Sequence, residues 1–579
     1  MNATDSAHRT GVRYQPDETP PMGLAVGLGL QLAVLSVAAT VLVPAIIIRA
    51  GGGSESYLSW AVFAAVAVCG ATTVLQAVRF GQIGSGYVLL MSISGASIGI
   101  SITALAKGGP ATLAILVVVS SLVPLALSTR LWFLRRILTP TVTGTVIMLI
   151  PVTVMSHVFE MLKDVPDGVP AMAVPLSTLA TLLVIAGCVL KGTGAWRLWA
   201  PVIGVVAGSA VAGVFGFYDV HRVAKASWIG LPQGTWPGFD LKFSTVFWTL
   251  LPAFVLVALI DTMQTISASI AIQHVSWRQP RAVDFRAVQG AVAAAGIAKL
   301  FSGLSGTVPN TTYSTTVSMT ELTGVSARSV GIALGTTLML LAFLPKAIAL
   351  VLAIPGPVVA AYLTVFLAML FVIGMNLVVR DGIDYRKGLI CGVGFWVGVG
   401  FQNGMIFPGL VSEFAGGLLQ NGMTAGGFVA IIMTLFMDLT TSRHRLESEV
   451  NILALPKIRK FILGFASQSG WDAEMANRLD AASEETLLTL IQRQEAGGAI
   501  EQRRLLLVAC KEDGGAVLEF VASTGEENLQ DRIALLGTRT NADLIEQEAS
   551  LRLLRHLTSS VRHQQYHGTD IVTIRVDIL

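Results

Sequence analysis

Charge is scarce in this chain. Of its 579 residues only 13% are Asp, Glu, Lys or Arg, about half the share usual in a soluble globular protein. Cysteine is scarcer still: Cys69, Cys188 and Cys391 sit in apolar runs and Cys510 in a charged region. No two of them have a metal-ligand spacing, so neither a zinc site nor a disulfide scaffold is indicated, and free thiols are expected. The first 21 residues lack the basic start and small-residue cleavage site of a signal peptide. They carry Asp5, Asp17 and Glu18 instead and read as a short cytoplasmic arm. What the chain has in excess is apolar side chain, 53% of residues with a mean hydropathy of +0.68. The remaining charge is uneven: residues 22–439 hold 34 charged side chains, about 8% of that stretch, and 440–579 hold 36, about 26%. This is a membrane body (22–440) with a charged tail (441–579). A purely soluble enzyme, a secreted disulfide scaffold and a disordered chain are excluded.

A membrane-crossing helix needs about 20 mainly apolar residues. Runs of that kind begin near residues 23, 57, 87, 110, 137, 171, 198, 245, 288, 329, 354, 387 and 424, and a shorter polar candidate covers 306–323. Together they make about fourteen spans. With the N-terminus inside, the inner loops hold thirteen Lys/Arg and the outer loops seven, which satisfies the positive-inside rule and puts both termini in the cytoplasm of a plasma (inner) membrane protein. That count requires 306–323 to cross or half-cross. Its sequence Gly-Thr-Val-Pro-Asn-Thr-Thr-Tyr-Ser-Thr-Thr (306–316) is too polar and β-branched to face lipid, and irregular backbone is tolerated at that depth only where it lines a cavity. Seven spans earlier, a glycine-rich break at 81–86 precedes the small polar run Ser-Ile-Ser-Gly-Ala-Ser (92–97). Two broken segments in corresponding places point to a transporter site at a repeat interface, supplied here by the third and tenth spans.

Few charges fall inside the spans. Asp261 lies mid-span between Val-Leu-Val-Ala-Leu-Ile and Thr-Met-Gln-Thr-Ile. An ionisable group at that depth costs several kcal/mol, so a substrate or proton role is the default reading, against a carboxylate that merely bonds a neighbouring helix. Lys299 is the second outlier; it either pairs with Asp261 or another acid, or snorkels to an interface. Glu321 falls near the end of the tenth span, where solvation suffices. The Ser/Thr cluster 311–316 can cap a half-helix whose free N–H groups face a ligand.

With those residues in hand, the chain resembles the nucleobase–ascorbate transporter family, the uracil and xanthine permeases, over roughly residues 20–440. The carrying segments are Gly-Leu-Gln-Leu-Ala-Val-Leu-Ser (29–36), Asp-Thr-Met-Gln-Thr-Ile-Ser-Ala-Ser (261–269), Ser302 through Thr316, and Leu-Thr-Gly-Val-Ser-Ala-Arg-Ser-Val-Gly (322–331). The resemblance implies a membrane all-α fold of 7+7 inverted repeats with core and gate domains, short antiparallel strands in spans 3 and 10, and a homodimer. It also implies secondary transport of a nucleobase, a purine such as xanthine or urate ahead of uracil. The family's eighth-span acid falls on Asp261, its tenth-span contacts on Ser314 and Thr315, and its third-span backbone contact on Gly95. Departures are substantial: the signature Gln/Glu-Asn-x-Gly is here Thr315-Thr316-Val317-Ser318, the polar partner four residues after the acid is Thr265, the ninth-span aspartate is Ala295, and the first-span histidine is Leu32. A threonine hydroxyl offers one donor on a short arm where an amide or carboxylate makes a bidentate contact. Either the substrate is larger or it is not a nucleobase. Asp261 is the only titratable group expected at the site and the expected proton carrier; sodium coupling finds no extra ligands, and no metal or cofactor is implied.

The tail reads as α+β: helices over 455–465 and 478–491, strands at 504–509 and 516–522, a helix over 550–560 and a last strand at 570–576. That order resembles the anti-sigma-factor and histidine-kinase ATPase fold. The nucleotide site is degraded, with Glu485 in place but Thr489 where the Mg²⁺-binding Asn belongs and only Ala-Ser-Thr-Gly (522–525) for the glycine turn. A regulatory module with a cytoplasmic protein partner is therefore expected, and no nucleic-acid binding. Two other readings stay open: a sulfate-permease-like anion transporter of the same fold, and a membrane ligand sensor that signals through the tail.

Overall fold

The computed structural model describes residues 12–131, 139–163, 169–170, 172–232, 234–279, 281–379, 384–407, 422–440, 443–496, 504–512, 515–522, 553–567 and 569–578. The chain divides into two compact units, residues 1–279 with 287–434, and residues 280–286 with 435–579.

The first unit is built from helices α1 (Met22–Ala50), α2 (Glu55–Val78), α3 (Ile98–Ser128), α4 (Pro140–Glu160), α5 (Ala173–Lys191), α6 (Ala195–Val214), α7 (Val220–Lys225), α8 (Thr245–Ser276), α9 (Phe285–Leu304), α10 (Thr315–Thr323), α11 (Arg328–Ala342), α12 (Pro345–Leu352), α13 (Gly356–Val379), α14 (Tyr385–Gln402) and α15 (Gly422–Thr440). Two strands interrupt them, β1 (Leu90–Ile93) and β2 (Asn310–Tyr313). Eight of the described helices are long and apolar enough to cross a membrane, or nine if α11 and α12, bent by 85°, count as one span. Local sequence explains the breaks. Ser54 caps α2 by accepting from the Tyr57 N–H, with Glu55 in the positive first turn. Thr139 caps α4 ahead of Pro140, where a missing N–H costs nothing. Gly109, at φ 76°, breaks α3 just before Pro110 and leaves two helical segments.

These helices sort into two packing groups. In one, α2 packs on α11, α1 on both, and α3 on α8; in the other, α13 packs on α4 and α5, and α14 on α4. Each group has a crossing where glycines face each other. A Cβ on Gly335 would lie 2.5 Å from the Gly70 carbonyl oxygen, and one on Gly374 would lie 2.7 Å from that of Gly144.

β1 and β2 pair antiparallel, Leu90 opposite Tyr313 and Ile93 opposite Asn310. Both are almost wholly buried. Each ends in a turn that opens a helix: Gly95–Ser97 then α3 after β1, and Ser314 then α10 after β2. The 306–323 segment is thus extended chain, strand and a short helix that Gly324 ends in the left-handed conformation.

The N-terminal arm is strapped to this unit. Arg13 N–H donates to the Gly324 carbonyl at 2.7 Å, and Arg278, just beyond α8, makes a fork to Glu18 at 2.7 and 2.8 Å. Asp17 pairs with Arg328 at 2.7 Å. The Arg278 hydrogen bond holds the Glu18 carboxyl below the usual carboxylate range. The clamp is therefore fully formed above that range and is lost only as pH falls through the depressed value. Glu18→Gln, which keeps the shape and removes the charge, is expected to speed tryptic cleavage at Arg13 at neutral pH several-fold over the wild type. Unchanged cleavage would show that the clamp does not hold the arm.

The second unit carries β3 (Arg443–Glu449), α16 (Leu455–Gln468), α17 (Ala473–Ala496), β4 (Arg504–Glu512), β5 (Gly515–Ala522), β6 (Ser560–Tyr566) and β7 (Thr569–Asp577). The strands form an antiparallel sheet in the order β3-β4-β5-β7-β6. Ile462, Leu479, Leu507, Phe520 and Ile574 pack in its core. The expected helix over 550–560 needs correction: 553–557 are helical, but Ser560 already begins β6. β3 and β6 escape the sequence because both are edge strands, where polar residues such as Arg562 and Gln564 are favoured and no apolar run forms. The turn at 523–525 lies outside the described residues.

Candidate substrate site

Asp261 sits midway along α8 at 4% exposure. Both of its oxygens are engaged: Ser94 Oγ donates to Oδ1 at 2.6 Å, and Lys299 Nζ donates to Oδ2 at 2.6 Å. Lys299 is itself 2% exposed. It does not snorkel, because a carboxylate inside the protein partners the ammonium more closely than a remote headgroup could. Of the readings open for Lys299, the geometry is the pairing with Asp261, so Asp261 has a second titratable group beside it.

Hydroxyls tie the strand pair to the surrounding helices. Thr73 of α2 accepts from Met91 N–H at 3.0 Å, and Thr40 of α1 shares a 3.0 Å hydrogen bond with Ser92. Ser94 N–H donates to the Pro309 carbonyl at 2.9 Å, and the Tyr313 hydroxyl donates to that of Ile93 at 3.0 Å. From α8, Thr265 donates to the Asp261 carbonyl at 3.0 Å and lies 3.1 Å from the Thr312 hydroxyl. Thr311 donates to the same carbonyl at 3.4 Å. The small polar residues of both broken segments thus fix the backbone around one carboxylate.

Gly95, directly after Ser94, is buried, and a Cβ there would stand 3.4 Å from Phe366 and Leu370 of α13. The Tyr313 ring lies nearly parallel to Phe366, centroids 6.4 Å apart at 8°, and Phe366 in turn to Tyr362 at 6.3 Å. An aromatic wall from the other helix group therefore borders the strand turns, the kind of surface on which a flat heterocycle stacks. Ser314 occupies the N-cap of α10 and is exposed, Thr315 is half-buried at its first position, and Thr316 is buried with its hydroxyl unpartnered among the described residues. Ser97 and Ile98 N–H at the start of α3 donate to the Ser94 and Gly95 carbonyls, and Val317 N–H of α10 to that of Ser314; the N–H groups ahead of these bonds can receive ligand oxygens.

The structure therefore joins Asp261 and Lys299 directly, and Gly95 follows in chain the Ser94 that bonds Asp261. It adds Ser94, Thr311 and Thr312, which sequence reading included in polar runs without giving them a contact. Glu321 is exposed on α10. None of the four cysteines is in a disulfide, and Cys69 is buried.

Paired broken segments meeting a buried ion pair among membrane-length helices are the build of a secondary transporter. The model of the Permease family, the xanthine/uracil permeases, matches residues 24–406, and the chain belongs to that family. It is a transporter rather than an enzyme. Xanthine permease XanP of Escherichia coli strain K12 is 27% identical over 450 residues, covering 73% of this chain and 94% of the relative. Uric acid permease PucK of Bacillus subtilis strain 168 is 25% identical over 423 residues, covering 71% and 95%. Among solved structures, the transmembrane domain of the cyanobacterial bicarbonate transporter BicA matches at a TM-score of 0.43 and 12% identity, covering 73% of this chain and all of that one.

Proposed function

We propose that the chain is a proton-coupled transporter of a purine of the xanthine or urate class. The observation that carries this reading is the Asp261 carboxylate, buried in α8 and held by Lys299 of α9 and by Ser94, which directly precedes the turn into α3. Asp261 receives ring N–H groups, the starts of α3 and α10 at Gly95, Ser314 and Thr315 receive ring carbonyls, Thr316 lends a hydroxyl, and Phe366 covers a face of the base. Urate carries one carbonyl oxygen more than uracil or xanthine, and the fused second ring of either purine offers a larger face to Phe366 than the single ring of uracil does. The body is read as fourteen spans in a 7+7 inverted repeat, with the α3 break at Gly109 dividing spans three and four. It sits as a homodimer in the plasma membrane, both termini in the cytoplasm, with residues 1–21 as an arm, 22–440 as transporter and 441–579 as a regulatory domain that takes a protein partner.

Uptake of radiolabelled xanthine, urate, uracil and sulfate into proteoliposomes, with and without an inside-alkaline gradient, tests the reading. Saturable purine uptake that the gradient accelerates is expected. Saturable sulfate uptake without purine competition would overturn it in favour of an anion permease, and binding without transport would favour a sensor. For the tail, Mg-ATP is expected to leave the full chain's melting temperature unchanged; hydrolysis of ATP would show an active nucleotide site instead.

A further inference from the structure

We propose that Lys299 is the binding group for the anionic form of the purine, and that it exchanges Asp261 for the substrate anion when Asp261 takes up the coupled proton. The inference rests on the transport reading above and deepens it by naming the charge state of the substrate.

Among the described residues of the first unit, Asp261 and Lys299 are the only buried charged side chains. They neutralise each other at 2.6 Å. The other groups on the carboxylate and its backbone, Ser94, Thr265 and Thr311, are uncharged. The titratable neighbours around Tyr313 are Cys69 of α2 and Tyr362 of α13, with Asp261 itself. A thiol and phenols are neutral acids near pH 7. No further charge in this buried set can compensate a change at the pair.

Charge balance then dictates coupling. A purine anion entering alone faces the Asp261 carboxylate and gives the site an unpaired negative charge. A proton added alone neutralises Asp261 and leaves Lys299 unpaired. Either state is costly in a low-dielectric interior. Both ligands together restore neutrality: the proton forms an O–H bond on Asp261, and the ammonium passes from that carboxylate to the ring anion. Each ligand therefore raises the affinity for the other, one proton per monoanion, and by linkage the effect is reciprocal. Ser94, already within 2.6 Å of Oδ1, keeps the carboxyl in place as its charge changes. The loaded site carries no net charge, so transport is electroneutral. A neutral base gains nothing from Lys299, which makes selection of the more acidic purines a property of this residue.

The test uses the full chain in proteoliposomes with urate, an anion at neutral pH, and hypoxanthine, which is neutral there. Wild type is expected to accumulate urate with an inside-alkaline gradient and to ignore a potassium-diffusion potential. Lys299→Met should weaken urate competition at least tenfold more than it weakens hypoxanthine competition. Because a lone Asp261 could destabilise that variant, Asp261→Asn/Lys299→Met is measured beside it and should show the same loss of urate preference with normal elution and melting behaviour. Asp261→Asn mimics the protonated acid and should still exchange urate, with no pH dependence and no gradient-driven accumulation. Equal losses for urate and hypoxanthine in the Lys299 variants, or urate transport that follows the membrane potential, would overturn the inference and leave purine transport standing. Absence of any purine uptake by wild type would remove the transport reading itself.

Discussion

Lys299→Met is expected to destabilise the protein by about 3–5 kcal/mol, because it leaves a buried carboxylate without its cation. Asp261→Asn should cost a similar amount by stranding the ammonium. Removing both charges together should cost far less than the sum, since buried ion pairs rarely outweigh their own desolvation and a neutral pair carries no such penalty. The cycle of the three variants therefore gives an interaction energy of several kcal/mol, well above the few tenths expected for independent sites. Chemical denaturation of the detergent-solubilised chain measures it. Additive effects would mean that the two groups do not share a hydrogen bond in solution, and the 2.6 Å geometry would lose its meaning. The same cycle separates stability from transport: a double variant that folds well yet cannot accumulate urate retains its scaffold and has lost only its charges.

Why was the pair only half legible beforehand? Asp261 stands out because a carboxylate amid apolar residues has one economical explanation. Lys299 was ambiguous because a long aliphatic stem can lie along apolar surface from almost any position. The sequence separation between α8 and α9 contains no signal for which turn of one faces which turn of the other. The two broken segments, by contrast, are marked by glycines and small polar residues, the strands within them follow from the family resemblance, and the pairing observed joins the two segments expected to meet. Ser94 was hidden in a run of small residues that all look alike until β1 fixes their directions. The Tyr313–Phe366–Tyr362 stack was beyond reach for the same reason: aromatic residues in spans are common, and only the crossing of α13 past β2 turns three of them into a wall. In the tail, central strands β4, β5 and β7 carry enough apolar residues to be readable as strands, whereas edges β3 and β6 do not.

Gly335→Ala is expected to destabilise the body by about 1–3 kcal/mol, the usual range for overpacking a tight contact, although alanine favours helix over glycine by up to ~1 kcal/mol. The reason is what the added methyl meets. At Gly335 it would stand 2.5 Å from the Gly70 carbonyl oxygen and 2.8 Å from Val74 N, both backbone atoms that cannot swing aside. Relief requires α2 and α11 to separate. α2 also supplies Thr73, which holds Met91 of β1, and Gln76, which donates to the Ala291 carbonyl of α9 at 3.0 Å. A shift of α2 therefore reaches both the strand next to Ser94 and the helix that carries Lys299, so purine affinity should fall along with stability. Gly374→Ala meets Gly144 O and Met148 N at 2.7 and 2.9 Å in the other helix group. It should lower stability comparably while leaving affinity closer to wild type, since no hydrogen bond to β1 or β2 runs through α4 among those described. Gly187→Ala on α5 meets nothing within 4 Å and should be neutral or stabilising. Melting curves and purine binding on the three variants check the ordering. Equal behaviour at all three positions would mean that the glycine crossings are looser than their geometry indicates, and that the strand pair does not depend on the α2–α11 contact.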